Sequence, residues 1–340
     1  MIVLTGGVAR RRTPVPAAGF GLAVLLGVAA TVAGTVVPVV GAPVFAVALG
    51  VLLSPLARRR SEAWEPGLGL ARGVVLQVSV VLLGARMSLG EVASVGAESL
   101  PVLVGTLAVC LLAAWWVGRR LGVPRDLRTL IGVGTGICGA SAIAATTPAI
   151  RAKSDDVAYA ISTIFLFNVA AVLAFPPLGH ALGLSEQAFG LFAGTAVNDT
   201  SSVVAAAGAY GDDAVAYAVV VKLARTLMII PIVLVLATLT RRRAAVPETS
   251  RARVAVSLVP WFLVAFLAVA ALHTAGLIPA AGQAALHQVA LLLIAVALAA
   301  VGLATDVAAL RRAGARPLLL GLILWVAVSV TSLALPRLLG

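Results

Sequence analysis

Long apolar runs separated by short polar stretches are the dominant pattern of this 340-residue chain. A helix needs about 20 predominantly apolar residues to cross the hydrocarbon core of a bilayer, and nine runs approach that length. We predict full transmembrane helices at Ala17–Ala33, Val37–Leu56, Leu70–Leu89, Leu100–Val117, Val157–Phe175, Ala214–Leu239, Val254–Leu272, Ala285–Leu303 and Leu318–Leu339. The pattern therefore predicts an all-α polytopic membrane protein, with residues 1–340 as a single transmembrane domain.

Two further apolar segments, residues 130–150 and 189–210, are unusually rich in Gly, Ser, Thr and Ala. Glycine costs about 1 kcal/mol relative to alanine inside a helix, and exposed backbone is expensive in lipid. Such segments are tolerated where protein surrounds them or where they line a cavity. We therefore predict that both are discontinuous helices or re-entrant hairpins.

Composition agrees with a membrane protein, because 61% of the residues are hydrophobic, 11% are charged and the mean hydropathy is +1.10. Soluble domains carry about 25% charged residues, so the chain lacks the polar surface that a soluble protein needs. Arg10–Arg12 before Ala17–Ala33 resembles the start of a signal peptide. Because the apolar run is long and no small-residue cleavage site follows, we interpret it as a retained first helix.

The formal net charge of +12 comes from short arginine clusters that lie between the apolar runs. This placement is typical of the positive-inside rule and not of a nucleic-acid-binding face. With the N-terminus in the cytoplasm and both unusual segments re-entrant, every cluster is cytoplasmic. Arg151 and Lys153 are then cytoplasmic too, and Pro176–Gln187 lies outside; if both segments crossed fully, these positions would exchange sides. The clusters are Arg10–Arg12, Arg58–Arg60, Arg119 with Arg120, Arg125 and Arg128, Arg241–Arg243 with Arg251 and Arg253, and Arg311 with Arg312 and Arg316.

The two unusual segments resemble each other. Gly134-Thr135, five residues and Ser141 match Gly194-Thr195, five residues and Ser201. In the favoured topology the matching pieces run in opposite directions, as in transporters built from inverted repeats with discontinuous helices. Coincidence in an Ala/Gly/Val-rich chain is the alternative.

Three charges lie deep inside apolar segments: Asp199, Lys222 and Arg225. Intramembrane charges are costly and are usually functional and paired. Lys222 and Arg225 are three residues apart and share a helix face, so Asp199 can neutralise one of them and a positive charge is left for an anion. A buried salt bridge that only fixes packing is the alternative. We assign proton coupling to Asp199, with Lys222 as a second candidate because its ammonium can lose a proton.

Small and hydroxyl-bearing residues surround these charges and complete the predicted substrate site. A half-helix N-terminus facing a cavity is a ready anion site, although close helix packing explains small residues equally well. Cys110 and Cys138 show no metal-ligand or disulfide spacing, and no cofactor or catalytic constellation is evident. The predicted anion-binding residues are Lys222, Arg225, Asn198, Thr200, Ser201, Gly134, Thr135, Gly136 and Ser141.

Three motifs carry a resemblance to a known family: GTGICGASAIAA at Gly134–Ala145, GLFAGTAVNDTSSVVAA at Gly190–Ala206 and VKLARTLMIIP at Val221–Pro231. With them the chain resembles the bacterial inner-membrane proteins called sulfate exporters, which are similar in fold to cation/proton antiporters and bile-acid symporters. The resemblance implies sulfate or another sulfur-containing oxyanion as the substrate.

The leading hypothesis is a secondary transporter, with export as the expected direction, that alternates access around a midplane site. An anion channel that uses the same basic site is the alternative. We expect no enzymatic activity, because no catalytic dyad, metal cluster or nucleotide motif is present in the sequence. The expected partners are a small anion, protons and the lipid bilayer, with no nucleic acid; homodimerisation is left open.

Overall fold

A computed structural model describes residues 17–36, 41–59, 61–241, 259–304 and 315–339. Within these ranges the chain is helical throughout, with short turns between helices. The start of the predicted span Val254–Leu272 lies outside the described residues, as do these residues of the predicted basic clusters: Arg10–Arg12, Arg60, Arg242, Arg243, Arg251, Arg253, Arg311 and Arg312. The helices are α1 (Ala17–Val36), α2 (Gly41–Arg59), α3 (Ser61–Leu70), α4 (Leu76–Leu83), α5 (Leu89–Arg120), α6 (Arg125–Gly136), α7 (Ala140–Ile150), α8 (Ser154–Ala181), α9 (Glu186–Ala196), α10 (Thr200–Gly208), α11 (Asp212–Leu227), α12 (Ile229–Arg241), α13 (Trp261–Thr274), α14 (Ala280–Leu303) and α15 (Ala315–Leu339).

Seven helical stretches in the described ranges are long and apolar enough to cross a membrane, so a multi-pass membrane protein is confirmed but nine full spans are not. The predicted spans Val37–Leu56 and Val254–Leu272 correspond to the shorter apolar helices Ala42–Ala57 and Trp261–Thr274. The chain around them is only partly described. The seven stretches are Ala17–Val36, Ala63–Arg86, Leu89–Arg120, Ser154–Ala181, Asp212–Leu236, Ala280–Leu303 and Ala315–Leu338.

Helices α1, α2, α4, α13 and α14 pack into one group, which we call the outer group. Small residues allow this, since a Cβ atom added at Gly50 or Gly302 would overlap the facing backbone of α14 or α2. Helices α5, α6, α8, α9, α11 and α15 form a second group, the inner group. Arg86 Nη2 to Asp213 Oδ1 (3.0 Å) and His287 Nε2 to Asp212 Oδ2 (3.2 Å) join the two groups at one end.

Helices α9 and α10 form a hairpin whose open end lies beside the start of α11. The Glu186 carboxylate accepts hydrogen bonds from the backbone N–H groups of Asp213 (2.8 Å) and Ala214 (3.2 Å). Further along, Gly194 lies against Val221, so α9 and α11 run side by side in the same direction. Because both helices begin at the same end, α10 brings the chain back to the end from which α9 left.

Helices α6 and α7 form a second hairpin, between α5 and α8. Gly134 of α6 lies against both Ile143 of α7 and Ile164 of α8, since an added Cβ would be 3.0 and 3.1 Å from their side chains. Helix α15 begins beside the start of α6, and its second turn, at Gly321, lies against Thr163 of α8. Helices α6 and α8 therefore start at the same end, and α7 returns the chain to that end.

The tips of the two hairpins meet in the interior. Residues 137–139 separate α6 from α7, and residues 197–199 separate α9 from α10. A Cβ added at Gly139 would lie 3.4 Å from Asp199 Cβ and 3.5 Å from the carbonyl oxygen of Asn198. The two interruptions are thus in contact, and their hairpins open toward opposite ends of the helix bundle.

Candidate functional site

Lys222 of α11 lies at the contact between the two hairpin tips. Its side chain is fully buried, and Nζ donates hydrogen bonds to the carbonyl oxygens of Ile137 (3.0 Å) and Val197 (2.8 Å). These carbonyls follow the last residues of α6 and α9, where helical carbonyls lose their intrahelical donors. One ammonium therefore holds the ends of two half-helices together.

Arg225 lies one turn further along α11 and is also fully buried. Its Nε donates to the carbonyl oxygen of Gly136 (2.8 Å) and its Nη2 to that of Thr135 (3.1 Å). Cations are stabilising at helix C-termini, where the helix dipole is negative. Nη1 is buried and has no hydrogen-bond partner among the described residues, so both of its N–H donors are uncommitted.

Asp199 caps the N-terminus of α10. Its carboxylate accepts hydrogen bonds from the backbone N–H groups of Ser201 (3.3 Å) and Ser202 (3.1 Å) and from both serine hydroxyls. No ion pair joins it to Lys222 or Arg225 in the described part of the chain. The direct neutralisation considered from the sequence is therefore not observed, because the carboxylate binds the free donors of its own helix.

Asn168 and Asn198 connect α8 to the tip of the α9–α10 hairpin. The Asn168 Oδ1 atom accepts a hydrogen bond of 3.1 Å from the backbone N–H of Asn198. Both polar atoms of the Asn198 side chain are buried without a partner among the described residues. Buried polar atoms are normally hydrogen-bonded, so the Asn198 side chain can still form hydrogen bonds to water or to a ligand.

The N-terminus of α7 differs from that of α10, because no side chain caps it. Gly139 precedes α7 with φ 66° and ψ −130°, and both Ala140 and Ser141 are exposed. The matching position in the other hairpin is Asp199, which caps α10. The N-terminus of α7 is thus exposed, and its helix dipole is favourable for a negative charge.

We expect Gly139→Ala to destabilise the fold by about 1–3 kcal/mol, because side chains rarely adopt its backbone conformation. Gly183→Ala is the matched control. It has φ 62° but nothing within 4 Å of an added Cβ, so its cost should be limited to backbone strain. Thermal unfolding of the purified variants gives both values, and a loss of less than about 1 kcal/mol at position 139 would contradict the strain argument.

Two cavities adjoin the hairpin tips. One, of about 550 Å³, lies between the inner and outer groups. The other, of about 270 Å³, lies between α7, α12 and the start of α13. Polar residues of the larger cavity are Arg72, Ser162, Asn168, Asp199 and Ser201. Polar or aromatic residues of the smaller cavity include Gln77, Cys138, Ser141, Thr200, Thr226 and Trp261.

The predicted site residues divide into two sets. Ser141, Asp199, Thr200 and Ser201 line the cavities. The others are buried at or behind the tips: Gly134, Thr135, Gly136, Asn198, Lys222 and Arg225. Gly134 and Gly136 serve close packing, and the Thr135 and Gly136 carbonyls bind Arg225.

Several cavity residues were not predicted from the sequence. Arg72 and Gln77 lie within the apolar run Leu70–Leu89, so their polarity was a usable signal. Arg72 is hydrogen-bonded to Glu65, and Trp261 donates from Nε1 to Gln77 Oε1 at 2.8 Å. Thr226 gave no such signal, because a threonine in a helix can bond its hydroxyl to the same helix. In the structure Thr226 does so, donating to the Lys222 carbonyl oxygen.

Comparison of the amino-acid sequence with known proteins assigns the chain to a family. Residues 18–321 match the family described as conserved hypothetical protein 698. The chain belongs to this family. It is 42% identical over 331 residues to a UPF0324 membrane protein of Streptococcus pyogenes serotype M6, which covers 95% of this chain and 97% of the relative.

Other relatives agree with this assignment. A UPF0324 membrane protein of Fusobacterium nucleatum is 39% identical over 339 residues, covering 95% of this chain and 98% of its own length. One of Streptococcus pneumoniae is 41% identical over 330 residues, covering 95% and 97%. These names state a membrane protein and say nothing of sulfate export or of antiporter folds. No solved structure matches the chain.

Proposed function

We propose that this protein is a secondary transporter for a small anion. The observation that carries the proposal is the meeting of two interrupted helices in the interior, at two fully buried cations and beside two cavities. Discontinuous helices that meet near the midplane form the substrate sites of many secondary transporters. A rigid structural bundle has no need of two helix interruptions that touch.

The charges around the tips favour an anion. Lys222 and Arg225 contribute two positive charges, and Asp199 is the carboxylate at the tips. The uncapped N-terminus of α7 adds a positive helix dipole end. We assign the anion to this N-terminus, with Ser141 as its nearest hydroxyl. Lys222 and Arg225 hold the two tips together. Each also keeps N–H donors that are not hydrogen-bonded, and these give the site a positive potential.

Sulfate or another sulfur-containing oxyanion is the proposed substrate, and Asp199 is the proposed coupling group. Asp199 lies at the surface of the larger cavity, where protons can reach it, and its carboxylate holds α10 at the tip. Gain or loss of its charge would alter the hold on α10 and the potential at the neighbouring α7 N-terminus. This links proton binding to anion binding at adjacent half-helices.

An inverted repeat is the proposed origin of the architecture. Helices α6–α8 and α9–α11 each consist of a hairpin followed by a longer helix that packs beside the first half-helix. Their hairpins open toward opposite ends, and Gly134 and Ser141 correspond in sequence to Gly194 and Ser201. These relations support alternating access between two similar halves.

Flux in proteoliposomes tests the proposed function. Radiolabelled sulfate, sulfite, thiosulfate and an organosulfonate are supplied with and without an imposed pH gradient. We expect one of them to accumulate against its own gradient when the pH gradient is present. Movement only down the gradient would indicate a channel, and flux equal to that of protein-free vesicles for all four would contradict anion transport.

Arg225→Lys should impair the site although it keeps the charge. A lysine cannot reproduce the fork that serves both carbonyls, so we expect one charge-assisted hydrogen bond, about 1.5–3 kcal/mol, to be lost. Substrate flux and thermal unfolding measure the effect, with Arg151→Lys, an exposed arginine, as the control. Unchanged flux and stability would show that the fork is not required.

The proposed topology places Arg151–Asp156 in the cytoplasm of a bacterial inner membrane, with the N-terminus on the same side and residues 176–187 outside. Lys153→Cys and Gln187→Cys, each made in a background without Cys110 and Cys138, test this because both positions are exposed. We expect an impermeant maleimide added to spheroplasts to label only position 187. Labelling of position 153 would contradict the re-entrant arrangement in the membrane.

A further inference from the structure

A groove on the surface of the bundle lies apart from the hairpin tips, between α12 on one side and α5 with α6 on the other. Its volume is about 510 Å³. Helix α12 packs on α7 and α11, which leaves this groove open along the flank of α6. The lining residues used below are Leu111, Trp115, Arg125, Arg128, Val133, Ile232 and Val235.

One end of the groove is basic. Arg125 and Arg128 lie in the first turns of α6, and neither guanidinium has a carboxylate or carbonyl partner among the described residues. The stem of Arg128 is held against Gly118 of α5. The N-cap residue Pro124 makes no side-chain cap at the N-terminus of α6, and this terminus lies at the basic end of the groove because Arg125 lines it. Arginine forks suit phosphate oxygens.

The remainder of the groove is apolar. Leu111, Val133, Ile232 and Val235 line it from three helices, and Val235 is 53% exposed. Trp115, 56% exposed, lies between the apolar and basic parts. Tryptophan is enriched at the level of lipid headgroups, where one side of the ring is apolar and the other is wet.

We propose that this groove binds one anionic phospholipid, of the phosphatidylglycerol or cardiolipin class. Arg125 and Arg128 bind the phosphate, Trp115 lies at the glycerol, and an acyl chain follows the apolar wall. Basic pockets between transmembrane helices bind such headgroups. A free oxyanion would leave the apolar wall uncovered, and a zwitterionic lipid would bring its own cation to the arginines.

The bound lipid would act on the helix that leads to the transport site. Helix α6 begins with Arg125 in the groove and ends at Gly136, whose carbonyl Arg225 holds at the hairpin tips. A headgroup on the first turns of α6 therefore restrains one end of the half-helix that Arg225 restrains at the other. The proposal does not depend on the identity of the transported anion.

Lipid titration of the delipidated protein in detergent, followed by native mass spectrometry, tests the proposal. We expect phosphatidylglycerol to saturate at one molecule per chain and phosphatidylcholine to bind more weakly. A cationic side chain near an anionic lipid surface contributes about fivefold in affinity. Arg125→Gln with Arg128→Gln should thus weaken phosphatidylglycerol binding by roughly 25-fold.

The matched control is Arg151→Gln with Lys153→Gln, which removes two exposed charges near the start of α8 and should change binding less than about twofold. Val235→Trp, at an exposed position, keeps both arginines and fills the groove, so it should also abolish saturable binding. Equal affinity for the two lipids would overturn the proposal. So would equal losses in the two charge pairs, unchanged binding in Val235→Trp, or a dimer of chains that excludes the lipid.

Discussion

Lys222→Met should lower the free energy of unfolding by about 2–6 kcal/mol, as expected for two buried carbonyls that lose a donor, and abolish transport with it. The ammonium donates to the carbonyls of Ile137 and Val197 in a fully buried position. Methionine fills a similar volume but leaves both carbonyls without that donor, and an unsatisfied buried polar group costs about 1–3 kcal/mol. The two hairpin tips also lose the group that joins them.

Lys153→Met is the matched control, because Lys153 is the other lysine of the chain and is exposed. Its effect should stay within about 0.5 kcal/mol. Thermal or denaturant unfolding in detergent, followed by tryptophan fluorescence, measures both variants. Stability of Lys222→Met equal to that of the control would mean that the carbonyls find other donors and that Lys222 does not hold the tips.

The double variant Lys222→Met with Asp199→Asn separates this account from a simple salt bridge. If Lys222 served mainly to balance Asp199, removing both charges would restore stability and transport. In the structure the partners of Lys222 are backbone carbonyls, which remain after both changes. We therefore expect no rescue, and recovery of both properties would return the pair to a structural role.

Segments 130–150 and 189–210 stand out in the sequence, because their residue types have a direct physical cost. Glycine, serine and threonine in segments 130–150 and 189–210 are poor in lipid-facing helices. In the structure each segment is two helices with a break, at residues 137–139 and 197–199. The three intramembrane charges were found for the same reason, since each is expensive unless it has a partner.

The partners of those charges could not be predicted from residue types. Lys222 and Arg225 bind backbone carbonyls, and every residue of the chain offers such an acceptor. Only the three-dimensional path of the chain decides which carbonyls lose their helical donors. Counting side-chain charges therefore suggested Asp199 as a partner, although the carboxylate is bound to α10.

The cap formed by Asp199, by contrast, was available in the sequence. Asp followed by Thr-Ser-Ser before an apolar helical run is a usual N-cap pattern. Contacts between distant helices could not be predicted from the sequence. Arg72 lines the larger cavity only because α14 and α8 lie beside it. The ends of the predicted span Val37–Leu56 also could not be placed from the sequence, since hydropathy alone does not fix where a helix ends.

Asp199→Asn should leave the fold intact and reduce coupled transport by on the order of 100-fold, as expected when about 3 kcal/mol of interaction with a charged group is lost. Asparagine caps helices about as well as aspartate, so the hydrogen bonds to the Ser201 and Ser202 backbone can be kept. The charge and the proton-binding group are removed. Asp199→Ala should in addition lose the cap, about 1 kcal/mol of stability.

Flux measured across a range of external pH, together with thermal unfolding, distinguishes coupling from capping by Asp199. Asp155→Asn is the matched control, since Asp155 is an exposed carboxylate in the first turn of α8. We expect the control to keep the flux and its pH dependence, and Asp199→Asn to lose the pH dependence while it unfolds at the same temperature. If Asp199→Asn kept the wild-type pH profile, Asp199 would be a helix cap alone, and proton coupling would have to be assigned to another group at the tips.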